Sequence, residues 1–403
     1  MRLTKRALAA YFQERGGPPV AIRSFGALGG HQSADVLKGF GYGAPILIEV
    51  LEGGHKRRMV LETMRPGPNG HEHMADRAHA MLWDYASYNH LPRHVRAEDV
   101  GAFTKEGRIR SIADAKEVFL LTEFVEGREY QYDLGRIART GKLERLDLAR
   151  TRALADYLIQ IHRKKKRDAG LYRRALRDLI GHGECILGVV DTYPTFYPFH
   201  PRRVSHTLLH PPTPSLPRQA LLPEPRPAKA GRLLRHSPDG FITPKLLESI
   251  EQRCNLWRWR LRDKTRRLSQ VHGDYHPWNV LFRKATDFSV LDRARQEWGE
   301  PADDVTCMSM NYIFSSVNRW GNLRGPFERL FRLFWDRYLE RTGDQGVLEA
   351  APPFFAFRGL VVASPVWYPD ISMTTRRKLF NFIEEVLNQS AFDPARVNDY
   401  LKS

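Results

Sequence analysis

The chain has 403 residues, 42% hydrophobic and 27% charged, and 63 Lys and Arg against 46 Asp and Glu leave a formal net charge of +17. That length is enough for two units with separate cores. Three widely spaced cysteines (Cys185, Cys254 and Cys307) without a C-x-x-C pair exclude a disulfide framework and argue against a zinc site, so a reducing compartment, the cytoplasm, is expected. The apolar run of the N-terminal M-R-L-T-K-R-A-L-A-A-Y-F is too short for a signal-peptide core, and no stretch approaches transmembrane length. No RNA-binding or helix-turn-helix pattern accompanies the basic excess, so neither a nucleic-acid nor a membrane partner is expected. The positive balance would suit a site that binds polyphosphate.

In chain order, residues 36–64 alternate turns with β-prone runs: V-L-K-G-F-G-Y-G, P-I-L-I-E-V-L and R-R-M-V-L-E-T-M. Gly53-Gly54 between the last two is a hairpin signal. Residues 71–89 have helical periodicity, with Met74, Ala78, Met81, Leu82 and Tyr85 on one stripe. Strands are expected near 98–104 and 117–125, after which E-G-R-E-Y punctuates the chain. The pattern predicts an α+β chain in two parts: an N-terminal antiparallel-sheet lobe over 1–127 and a helical lobe over 128–403. Helices are predicted at 147–162, 244–268, 325–341 and 373–388. The basic run W-R-W-R-L-R-D-K-T-R-R at 257–267 reads as an amphipathic helix with solvated arginines. Residues of about 193–238 are crowded with Pro, Arg and His and lack an apolar period, the composition of a flexible insertion. His200, His206, His210 and His236 inside it lack metal-ligand spacing.

The chemistry concentrates in V-H-G-D-Y-H-P-W-N-V-L-F at 271–282, followed by F-S-V-L-D-R at 288–293. Asp274 precedes Asn279 by five residues, and a second carboxylate, Asp292, ends the next apolar run. Phosphoryl transfer from a magnesium nucleotide needs this set: one carboxylate to accept a hydroxyl proton, and an amide oxygen with a second carboxylate to hold the metal. Gly273 lets the chain turn so that Asp274 and Asn279 face one cavity.

The segment resembles the catalytic and metal loops of the aminoglycoside phosphotransferase and choline kinase family, relatives of protein kinases whose loop reads H-G-D-x-x-x-x-N. The resemblance implies a two-lobed, protein-kinase-like fold and phosphorylation of a small-molecule hydroxyl with ATP and Mg²⁺. It makes Asp274 the catalytic base and Asn279 and Asp292 the Mg²⁺ ligands. The context of the second Asp departs from the family's usual I-D-W or I-D-F, reading Leu291-Asp292-Arg293. G-E-P-A-D-D-V at 299–305 is similar to the family's G-D-P-x-x-D-L, so bracing of the loop falls to Asp304 rather than Asp303. His272 and His276 would hold the loop by hydrogen bonds, and His162 and Trp278 would be packed. Backbone groups of a hinge at 122–127, Glu123 and Val125 among them, would meet adenine.

One position breaks the pattern. Where the family has a phosphate-holding Lys, this sequence has Glu62, and Arg77 stands where the partner Glu would be. A carboxylate left unpaired about 4 Å from a phosphate charge would cost roughly 4 kcal/mol at an effective dielectric of about 20. A reversed Glu62–Arg77 ion pair is therefore expected. Phosphate contacts then pass to Lys38 with Gly39 and Gly41, next to Arg65, and after it to His71 or His73. The exchange also leaves open a non-catalytic, kinase-like binding protein, and the same metal site could serve nucleotidyl transfer. Acceptor contacts are sought in R-E-Y-Q-Y-D-L (128–134) and S-P-V-W-Y-P-D (364–370).

Overall fold

The computed structural model describes residues 3–16, 18–27, 45–67, 70–90, 92–193, 240–293 and 297–402. They fall into two compact units, Met1–Glu123 and Phe124–Ser403. The expected K-G-F-G-Y-G strand with Lys38, Gly39 and Gly41, and nearly all of the Pro/Arg-rich segment, lie outside the described residues.

The first unit opens with α1 (Lys5–Glu14), whose N-terminus is capped by the Thr4 hydroxyl accepting from the Ala7 N–H. A three-stranded antiparallel sheet follows in the order β1 (Val20–Ala27), β2 (Ile46–Glu52), β3 (His55–Leu61). Gly53 and Gly54 both have positive φ (+55° and +89°), as a two-residue turn matching strand twist requires, and Glu52 pairs directly with His55. Ile48 and Val50 of the central strand point into a small core with Leu8, Phe12 and Ile109. Next come α2 (Met74–Tyr88) and a short hairpin of β4 (Gly101–Phe103) and β5 (Ile109–Ser111).

The expected strand over 117–125 does not form. Those residues carry no regular structure, and Phe119 is 90% exposed, with Leu120, Leu121 and Phe124 similarly bare. β-propensity expresses a fit to a paired, half-buried surface, and this run has neither a ladder partner nor a covering face among the described residues.

The second unit is mostly helical. β6 (Arg128–Glu129) leads into α3 (Tyr130–Thr140), α4 (Arg145–His162), α5 (Ala169–Gly181), α6 (Ile186–Asp191) and α7 (Pro244–Leu261). β7 (Ser269–Gln270), β8 (Val280–Phe282), β9 (Phe288–Val290) and β10 (Trp298–Gly299) then form two small sheets, β6-β8-β9 and β7-β10. The chain closes with α8 (Ala302–Trp320), α9 (Gly325–Thr342), α10 (Gly346–Ala363), α11 (Met373–Asn388) and α12 (Val397–Tyr400). α8 is buried along almost its whole length, at the centre of the large core.

The helix expected over 244–268 stops at Leu261, followed by a 3₁₀ turn at Thr265–Arg267. Trp257 and Leu261 are buried, while Trp259 lies open between Arg258 and Arg262. Arg267, expected in solvent, turns inward and forks onto buried Glu300 (2.6 Å) and Asp344 (2.5 Å). α10 corrects the expectation about membrane-length segments, because its 18 residues are apolar enough to cross a bilayer. They are mostly buried inside the unit, which makes α10 a core helix. It accommodates two interior prolines. Pro352 cannot donate to the Leu348 carbonyl, and the Phe392 N–H takes that acceptor instead (2.8 Å).

Candidate active site

The loop from Val271 to Asn279 is fixed from both sides. α8 begins one residue after Pro301, and its first turn presents Asp304 with no exposure to solvent. One Asp304 oxygen accepts the His272 N–H (2.8 Å) and the other the Gly273 N–H (2.7 Å). The last residue of α4, His162, reaches the same carboxylate through Nε2 (3.1 Å), with its Nδ1 on the Tyr338 hydroxyl (2.8 Å). Burial alone would push Asp304 up. The hydrogen bond and charge of His162, with the His272 N–H, outweigh it and hold the carboxyl below its ordinary value. Gly273 sits at φ +88°, a left-handed conformation a side chain would resist.

That turn delivers Asp274. Its backbone N–H donates to His272 Nδ1 (3.3 Å), and its Oδ2 lies 3.3 Å from His276 Nε2. His276 Nδ1 in turn accepts the Trp278 N–H at the start of a 3₁₀ turn, Pro277–Asn279. Burial holds the His272 imidazole below its usual pKa despite the Asp304 and Asp274 carboxylates. Asn279 donates Nδ2 to the Asp274 carbonyl (3.0 Å) and faces its Oδ2 (3.4 Å). The amide nitrogen is thereby directed at Asp274, and no hydrogen bond among the described residues engages the amide oxygen.

The β8–β9 hairpin brings the second carboxylate to this point. Val280 pairs with Val290, and the Leu291 N–H donates to the Asn279 carbonyl (2.9 Å), so Asp292 follows immediately beyond the residue facing Asn279. Asp292 has φ +51°, uncommon for a residue other than glycine, and its exposed side chain has neither a hydrogen bond nor an ion pair among the described residues.

Sequence reasoning missed one contributor. Arg358, on α10, is 6% exposed, and its Nη1 donates to Asp274 Oδ1 (2.7 Å). Its Nη2 donates to the Gly273 carbonyl (2.9 Å) and Asp303 Oδ1 (2.7 Å). Burial by itself would weaken the guanidinium's hold on its proton. The surrounding Cys307, Asp303 and Asp274 reverse this, and its pKa rises well above the usual value. The Cys307 thiol, 4.0 Å from Asp274 Oδ1, is pushed up by burial. A legible signal existed: one arginine in the apolar run A-P-P-F-F-A-F-R-G-L-V-V-A, which must find carboxylates if buried.

Asp274, Asn279, Asp292, His272, His276 and Asp304 thus gather in the second unit. Glu62, Arg65 and Arg77 belong to the first, Glu123 is its last residue, and Val125 lies just beyond on an irregular stretch. The reversed ion pair does not form. Arg77 Nη1 folds back onto the carbonyls ahead of α2, those of His71 (2.8 Å), Glu72 (3.3 Å) and His73 (2.9 Å). Glu62 is exposed just past β3 and helps raise the pKa of Tyr88, after burial and Asp84. Backbone carbonyls at a helix start offer a guanidinium three acceptors within reach, which accounts for its choice. Trp278, expected to be packed, is 47% exposed, its ring edge against Tyr132 (6.2 Å) with Arg128 over the Tyr132 face (4.9 Å). Of the acceptor candidates, Tyr130 is buried against Thr151 and Tyr312, and Asp133 is paired with Arg150.

A phosphotransferase is the class that this loop and its carboxylates define. Residues 50–339 match the model of APH, a phosphotransferase enzyme family, and the chain belongs to that family. Among curated proteins no sequence matches significantly. Among solved structures the chain is similar to Plasmodium vivax ethanolamine kinase, at 13% identity and a TM-score of 0.32, covering 94% of this chain and 80% of that one. It is also similar to a spectinomycin phosphotransferase, APH(9)-Ia, solved with ADP and spectinomycin (12%, TM-score 0.26, covering 100% and 98%). A glucosamine kinase matches at 13%, TM-score 0.28, covering 98% and 94%. Family membership rests on the sequence match over residues 50–339.

Proposed function

We propose that the chain transfers the γ-phosphoryl group of ATP to a hydroxyl of a small molecule, with Asp274 as the base. The observation that carries this reading is the joint geometry of Asp274, Asn279 and Asp292: the amide nitrogen of Asn279 is turned to Asp274, while its oxygen and the Asp292 carboxylate have no partner among the described residues. Two hard oxygen donors, one charged and one neutral, suit Mg²⁺, which takes few protein ligands and completes its shell with phosphate oxygens and water. Bound there, Mg²⁺ would neutralise charge on the transferring phosphates. The acceptor hydroxyl gives its proton to the Asp274 carboxylate as its oxygen bonds to the γ-phosphorus and the bond to ADP breaks. His272 holds the Asp274 N–H, Arg358 holds one carboxylate oxygen, and Asp304 fixes the two residues before Asp274, so positioning precedes chemistry. Lys38 with Gly39 and Gly41, and Arg65, are the proposed phosphate contacts in place of the missing lysine. Backbone groups around Glu123 and Val125 would take the adenine.

Replacing the base separates binding from chemistry. Asp274→Asn is expected to keep Mg-ATP affinity within about threefold while phosphorylated product falls about 10²–10⁴-fold. Wild-type-like turnover in that variant would remove Asp274 from the reaction. Glu62, exposed and without an ion pair to Arg77, favours a second reading, a kinase-like protein that binds without catalysis. Product mass separates the remaining options: phosphate gain marks kinase action, AMP gain marks nucleotidyl transfer, and no gain with intact ATP binding marks the non-catalytic protein.

A further inference from the structure

The carboxylates in and beside the loop can be followed individually. Asp304 is enclosed and committed to the His272 and Gly273 N–H groups and to His162. Asp292 is the proposed metal ligand. Asp303, the residue of α8 before Asp304, accepts through Oδ1 from Arg358 Nη2, and Asp274 Oδ1 accepts from Nη1 of the same guanidinium. Asp274 also has His276 Nε2 at 3.3 Å. Recognition of a polycationic acceptor needs carboxylates that are not already compensated where the hydroxyl meets the base. Beside Asp274 the structure instead places a buried, permanently charged guanidinium.

We propose that Arg358 determines the acceptor class: by pairing with both Asp274 and Asp303 it offsets one of their two negative charges beside the base, so the site favours hydroxyl compounds without amines and discriminates against polyamines and amino sugars. This rests on the phosphotransfer reading above, because only that reading brings the acceptor to Asp274. It goes further by naming the charge class of the acceptor and the residue that selects it. Arg358 acts through the two aspartates and is a specificity-determining residue, outside the reacting atoms themselves.

The test uses the full-length chain and three acceptors on one carbon skeleton, glucose, gluconate and glucosamine, with ADP release from Mg-ATP as readout. Calorimetric titration of kanamycin, a polycation whose binding needs no turnover, accompanies it. In wild type, glucosamine is expected to stimulate release at least about tenfold less than the better of the other two, and kanamycin to bind weakly. Asp303→Asn leaves Arg358 paired with Asp274 alone and should weaken kanamycin binding further. Arg358→Gln uncovers both carboxylates and should tighten it about tenfold. Should Arg358→Gln fail to fold, Asp303→Asn still decides through the opposite sign. Glucosamine as the fastest acceptor, tight kanamycin binding by wild type, or kanamycin affinities equal within twofold across the folded variants would overturn the proposal. Absence of Mg-ATP binding by wild type would instead count against the phosphotransfer reading, while the kanamycin series still reports the charge balance.

Discussion

Two titratable side chains, His272 in the loop and Asp304 bracing it from α8, make its stability depend on pH in a defined direction. Burial depresses the His272 pKa, so in the unfolded chain this imidazole takes up a proton from about 6.5 downward while the folded one resists. The unfolded state then binds more protons, and stability falls as pH drops below that value. Asp304 is also depressed in the fold, so its contribution is complete above 3.8 and is lost as pH falls through the lower folded value. The wild-type unfolding midpoint should therefore decline between pH 7 and 5, and His272→Gln should decline less steeply. Parallel curves for the two proteins would show that His272 titrates as freely in the fold as outside it. At this scale, the spacing of Asp274, Asn279 and Asp292 was legible because the chemistry demands those residue types close together in sequence. Arg358 was legible only as one charge in an apolar run that must find carboxylates; which ones was not, since its partners lie more than fifty positions upstream and only tertiary packing brings them to it. Nor could the fate of Arg77 be read, because backbone carbonyls compete for a guanidinium and leave no trace in the side-chain sequence.

Amphipathic elements, such as α4, α9 and α11, show an apolar stripe in sequence because one face meets solvent. α10 is enclosed on nearly all sides, so its apolar residues have no helical period, and Pro352 and Pro353 further disguise it. The run at 117–125 erred the other way, with strand composition but no partner among the described residues. The packing of α10 makes a measurable demand. A Cβ on Gly359 would meet Ile383 Cγ1 at 2.6 Å and Cδ1 at 3.0 Å, and the β-branched Ile383 in α11 has little room to turn. Gly359→Ala should therefore destabilise the second unit by about 1–3 kcal/mol, as overpacking does. An unchanged denaturant midpoint would mean that α10 and α11 have slack at this crossing.

At the scale of the molecule, the composition-marked segment of about 193–238 lies inside the stretch that matches the family, residues 50–339. Tyr193, just before the segment, is buried and donates to the Leu360 carbonyl (2.7 Å), while Phe241, just after it, packs on the core. Both rings stand edge-on to Phe380, at 5.8 and 5.6 Å, so the two ends of the segment meet on one side chain. Replacing 196–236 with a short Gly-Ser linker should leave cooperative unfolding intact and add about 0.6 kcal/mol for each halving of loop length. Loss of the cooperative transition would make the segment part of the core. The central claim is a working Mg-nucleotide site despite Glu62, and calorimetric titration of ATP with and without Mg²⁺ into wild type and Asp292→Ala tests it most directly. The account predicts Mg²⁺-dependent binding by wild type that Asp292→Ala loses. A well-folded wild type that binds no ATP, or an Asp292→Ala protein that binds Mg-ATP as wild type does, would contradict it.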